Sequence, residues 1–129
     1  MPHIVVEASP PLLAAIDWPQ TLRTLHRALA DSGSAALGDL KSRVQPIVAE
    51  LCGDEPGAQQ LIATLVLTNP RASEVSHRMA DTAFTVLSRA VEALSPGQWV
   101  QCCVFLQEHP KSHYLKRQWN APPPVPSTP

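Results

Sequence analysis

The stretch Gln60-Leu61-Ile62-Ala63-Thr64-Leu65-Val66-Leu67 is the strongest constraint on the fold. It reads as a β-strand with apolar residues on both faces, and Trp99-Val100-Gln101-Cys102-Cys103-Val104-Phe105-Leu106 reads the same way. Strands of this kind belong where neither face of the sheet meets water. Between them, Ser73 can cap a helix running to about Leu94, with Val75, Met79, Val86, Ala90 and Leu94 along one stripe. Asn69-Pro70-Arg71-Ala72 is the loop before that helix, and Ser95-Pro96-Gly97 ends it.

The first half of the chain follows the same order. Residues 3–8 form a strand around the β-branched run Ile4-Val5-Val6, and Ser9-Pro10-Pro11 ends it. Asp17-Trp18-Pro19-Gln20 is a helix start, with Asp17 as N-cap and Gln20 three residues later. Leu22, Leu25 and Leu29 then share one face, and Asp31-Ser32-Gly33 stops the helix. A second strand lies between Leu40 and Leu51 and carries Lys41, Arg43 and Val44. Pro46 cannot donate to a strand ladder, so this strand sits at an edge or is bulged there.

The expected fold is therefore α/β, more strictly α+β: a tandem β-α-β repeat with a four-stranded mixed sheet and two helices on one face. Crossovers of this type make the two strands of each half parallel. Two helices cover only one face of such a sheet, so the other face needs a partner. With no further helix expected, that partner is another copy of the chain, and a homo-oligomer follows.

Composition narrows the rest. A chain of 129 residues suits one domain, taken as residues 1–120, followed by a proline-rich tail over 121–129 that is expected to be disordered. A net charge of -1 argues against a nucleic-acid partner. No apolar run is long enough to span a membrane, and no secretory signal opens the chain. Three cysteines without a Cys-x-x-Cys spacing fit the reducing cytoplasm. Cys102 and Cys103 fall on opposite faces of a strand, which suits inert packing. His109 and His113 are four apart, but Pro110 breaks a helix between them, so no metal site is expected. His26 and His77 are expected to face solvent.

The chemistry concentrates at the start of the chain. Removal of Met1 would leave Pro2 with a free secondary amine, held in place by the strand that follows it. Burial and neighbouring cations would both lower the pKa of that amine, and a neutral amine is a general base. Carboxylate substrates for such a base call for cations. Lys41 and Arg43 leave the same face of their strand, and Arg71 stands just before a helix N-terminus that favours anions.

Four motifs carry a family resemblance. These are Met1-Pro2-His3-x-x-Val6-Glu7, Lys41-Ser42-Arg43-Val44, Arg71-x-Ser73-x-x-x-x-Arg78, and His109-Pro110 followed by Lys116. Together they resemble the 5-carboxymethyl-2-hydroxymuconate isomerase family of the tautomerase superfamily, over about residues 2–120. The resemblance implies a homotrimer with the sheets inside and the helices outside. It implies a cofactor-independent isomerase in which Pro2 is the acid-base catalyst and Arg71 and Arg43 hold carboxylates. The substrate would be a carboxylated ring-cleavage product of aromatic degradation. Lys41 stands where the family often has arginine, which keeps the charge and loses the bidentate fork. Residues 45–58 depart from the family pattern. Two alternatives stand beside this reading: another tautomerase, of phenylpyruvate type or promiscuous, and a non-catalytic oligomeric module of the same fold.

Overall fold

A computed structural model describes residues 1–123 of the chain. The proline-rich tail expected over 121–129 therefore lies largely outside the described residues.

Four strands form one mixed sheet in the order β2-β1-β3-β4. They are β1 (His3–Ala8), β2 (Lys41–Pro46), β3 (Gln59–Leu67) and β4 (Val100–Glu108). β1 pairs parallel with β2 and β3 parallel with β4, while β1 and β3 run antiparallel. The parallel pairing within each half is the one expected from the repeat. β2 lies at the sheet edge, which is where Pro46 can be accommodated without losing a ladder bond.

Three α-helices connect the strands, one more than the sequence pattern gave. They are α1 (Pro10–Ala15), α2 (Trp18–Asp31) and α3 (Ser73–Glu92). Ser9-Pro10-Pro11 does end β1, but the same prolines open α1. Proline is tolerated in the first helical turn, where an N–H would have no partner. Leu12 of α1 joins the main core. The start of α2 is as expected: Asp17 Oδ1 accepts a hydrogen bond from the Gln20 N–H at 3.1 Å. It ends before Gly33, whose φ of +78° is readily reached only without a side chain.

At α3 two details differ from the sequence pattern. Ala72, not Ser73, is the N-cap, because its carbonyl accepts the first helical bonds from Val75 and Ser76. The buried stripe is Ser76, Met79, Ala83, Leu87 and Val91. Val75, Val86, Ala90 and Leu94 flank that stripe and are partly buried. The small residues Ser76 and Ala83 let the helix approach the sheet closely, and they carry too little hydrophobicity to mark a core face in sequence. The Ser76 hydroxyl is satisfied there, donating to Glu108 Oε1 at 2.8 Å.

The core lies between the sheet and the helices. Ile4, Val6, Leu61, Ala63, Leu65 and Leu67 from the sheet meet Leu25, Leu29, Met79 and Leu87 from the helices. Each large side chain buried here contributes about 1.5–3 kcal/mol relative to exposure. The other face alternates out of register with these residues. It presents His3, Val5, Lys41, Arg43, Ile62, Thr64, Val66, Cys103 and Phe105; no described α-helix covers it, while Tyr114 from the segment after β4 reaches it at His3 and Lys41. Phe105 is 59% exposed on this face. On β4 the open face mixes Cys103 and Phe105 with the exposed Gln101 and Gln107, whereas Cys102, Val104 and Leu106 pack on the core.

Candidate active site

The site is built where β1 begins. β1 is an inner strand, bonded on both sides, so the first residues of the chain are held on two flanks. Pro2 is fully buried on the helix-facing side, and its carbonyl accepts a hydrogen bond from the Lys41 N–H at 3.3 Å. The antiparallel register pairs His3 with Val66, and two further steps each way bring Met1 opposite Thr68. Thr68 is 3% exposed. Its hydroxyl accepts from the Met1 amine and donates to the Met1 carbonyl at 3.1 Å. Neither contact was legible in the sequence, because Thr68 has no motif of its own.

The parallel register pairs His3 with Lys41 and Val5 with Arg43. Both cations therefore stand on the open face, as their two-residue spacing required. Lys41 is half-buried and Arg43 exposed. Arg71 lies two residues before α3, half-buried, and its Nη1 donates to the Asn69 carbonyl at 3.3 Å. Lys116, from the segment after β4, brings its Nζ to 2.7 Å from Met1 Sδ. Its expected neighbours in sequence form a short 3-10 turn at Lys111–His113 followed by an irregular run.

These groups converge electrostatically on the terminal amine. Its pKa lies below the ordinary value, first through burial and next through the Arg71 guanidinium. Lys116 and Lys41 act in the same direction, and the Asp39 carboxylate opposes them. The lowering expected for Pro2 thus already acts on the amine one residue ahead of it. His3 is also held below its usual pKa, by burial and then by Lys41 and Arg43. Its Nε2 lies 3.0 Å from Tyr114 Oη.

Other groups fall elsewhere. His26 is not the solvent-facing residue expected: it is partly buried and bonds Ser42 Oγ at 2.8 Å, and burial lowers its pKa. His77 is exposed, as expected. Cys102 packs on the core, Cys103 lies on the open face, and both are free thiols. Among the described residues no cluster of three His, Cys, Asp or Glu is arranged to hold a metal. No described helix is long and apolar enough to cross a membrane.

This small α+β chain, with doubled β-α-β order and an inner first strand, shares its fold with solved structures of the tautomerase superfamily. Among solved structures it is similar to a 5-carboxymethyl-2-hydroxymuconate isomerase from Deinococcus radiodurans R1. That match has a TM-score of 0.77 and 20% identity, over 90% of this chain and 88% of the other. A 5-carboxymethyl-2-hydroxymuconate delta-isomerase matches with a TM-score of 0.79 and 18% identity, over 94% and 90% of the two chains. A fused 4-OT symmetric trimer matches with a TM-score of 0.62 and 21% identity, over 85% and 87%. No family model matches the sequence, and no curated protein matches it.

Proposed function

We propose that this chain is a cofactor-independent tautomerase whose base is the amine of Pro2, exposed by loss of Met1. The observation that carries the reading is the convergence of Arg71, Lys116 and Lys41 on a terminal amine whose pKa is lowered. A neutral amine among cations is suited to taking a proton from an acidic, anionic substrate. The Met1 carbonyl is bonded to the Pro2 nitrogen, so the space it fills beside Thr68 becomes free in front of the amine once Met1 is gone.

The reaction is a proton relocation. Pro2 takes a proton from the enol oxygen, or from the carbon next to the carbonyl. Negative charge then spreads over a conjugated dienolate, which Arg71 and Arg43 stabilise. The Pro2 ammonium returns the proton to a different carbon, and no atoms are gained or lost. Lys41 adds a point charge for a second carboxylate. Similarity to the two muconate isomerases supports a polycarboxylate ring-cleavage product as substrate, and the fused trimer supports assembly as a homotrimer around the open sheet face. Its setting would be the cytoplasm.

The test is a chain with one residue added ahead of Pro2 after processing. Its nitrogen becomes an amide without a basic lone pair, and enol-keto conversion of a polycarboxylate enol should fall to the background rate. Pro2→Ala keeps a primary amine and should retain a small part of the rate. Full activity in the extended chain would remove Pro2, and the mechanism with it. Intact mass showing Met1 retained in active protein would do the same.

A further inference from the structure

Tyr114 ties the segment after β4 to the strands that carry the cations. Its Oη lies 3.0 Å from His3 Nε2 and 3.5 Å from Lys41 Nζ. Its ring meets the His3 imidazole edge to face, with centroids 5.4 Å apart and planes at 81°. From Gln107 to Pro123 every other residue is exposed, and Tyr114 alone is half-buried. Lys116, two residues on, makes the second anchor at Met1.

Chemistry gives these bonds a direction. An ammonium can only donate, so Lys41 Nζ–H donates to Tyr114 Oη. The hydroxyl keeps its one proton, which can point at His3 Nε2. In that arrangement the imidazole is neutral, with its own proton on Nδ1. Burial and the groups facing His3 favour the neutral ring: Lys41 and Arg43 on β2, the terminal amine, and Lys116, while β3 presents the non-titrating Val66.

We propose that Tyr114 is a positioning residue of the site: it links Lys41 to His3 in a directed hydrogen-bond chain that fixes the Lys41 ammonium for a substrate carboxylate. The segment after β4 is then a working wall of the site. The carboxylate part of the proposal rests on the tautomerase reading; the chain Lys41–Tyr114–His3 does not.

Tyr114→Phe keeps the ring and its burial and removes only the hydroxyl. NMR titration of the His3 imidazole should give a higher pKa in Tyr114→Phe than in the unaltered protein, because the neutral form loses its donor. Fumarate, used as a simple dicarboxylate probe, should bind about three- to tenfold more weakly, in line with the loss of one hydrogen bond. In turnover the loss should fall on KM, with kcat nearly retained. Lys41→Met should cost less in the Tyr114→Phe background than alone, since the two residues act as one unit. An unmoved His3 titration overturns the proposal, as does unchanged fumarate affinity in a protein that binds it. Failure of the unaltered protein to bind fumarate would remove the carboxylate role, while the His3 titration would still decide the chain.

Discussion

Thr68 bonds both ends of residue 1: its hydroxyl accepts from the Met1 amine and donates to the Met1 carbonyl at 3.1 Å. The residue is 3% exposed, and on the proposed reading its hydroxyl faces the Pro2 amine once Met1 is gone. Thr68→Val keeps the shape and removes the hydroxyl. In processed protein kcat/KM should fall about tenfold, as expected for one lost hydrogen bond near the reacting groups. Steady-state kinetics on mass-verified protein checks this, and a wild-type rate would show that the hydroxyl serves only the unprocessed chain.

Arg71 is the charge that lowers the terminal amine most. Arg71→Ala should therefore act twice. It should weaken use of dianionic substrates by on the order of 1.5–3 kcal/mol, the range for a charge-assisted contact. It should also move the rising limb of the kcat/KM profile to higher pH, because the amine regains basicity. Monoanionic substrates should suffer less. A loss of rate with the pH limb unmoved would separate carboxylate binding from amine tuning.

The open face predicts the assembly. Sedimentation at micromolar concentration should give about three times the 14.0 kDa chain mass. Phe105, the most exposed large apolar side chain on that face, is the residue to challenge. Phe105→Glu should dissociate the assembly, because a carboxylate there would be buried without a partner. A monomer in the unaltered protein would overturn the expectation.

His26 and His3 both titrate below their ordinary range, in each case chiefly because of burial. The unfolded chain binds these protons first as the pH falls through about 6.5, the unperturbed value. Stability should therefore be full above that pH, fall as it drops below, and level off once the folded histidines are also protonated. Urea midpoints at pH 8 and pH 5.5 measure the difference. His26→Gln keeps a partner for Ser42 and removes one titrating group, so it should shrink the difference.

Much of the fold was legible because it is written locally. β-branched and apolar runs marked the strands, Asp17 marked a helix start, and Pro46 marked an edge or a bulge, of which the structure has the edge. The cations Lys41, Arg43 and Arg71 were legible from spacing and loop position. What was missed depends on register or on ambiguous residues. Pro10 and Pro11 both stop a strand and start a helix, and only packing of Leu12 decides between them. Thr68 reaches Met1 through the antiparallel pairing of β1 with β3, which no local pattern encodes. Tyr114 meets His3 across 111 residues of sequence. The role of Ser76 in the α3 stripe was hidden because its burial depends on a carboxylate at the far end of β4.

The position of β1 between β2 and β3 also sets an order of events during synthesis. On the proposed reading residue 1 leaves the ribosome first, yet Thr68, which grips it, is made 67 residues later. At about 5–20 residues per second that is a delay of several seconds. During this interval the terminus is a free end open to an aminopeptidase; afterwards its amine and carbonyl are both engaged. On that reading, trimming of Met1, which the proposed chemistry needs, belongs to the nascent chain. A population that folds before it is trimmed would remain as correctly folded, inactive protein.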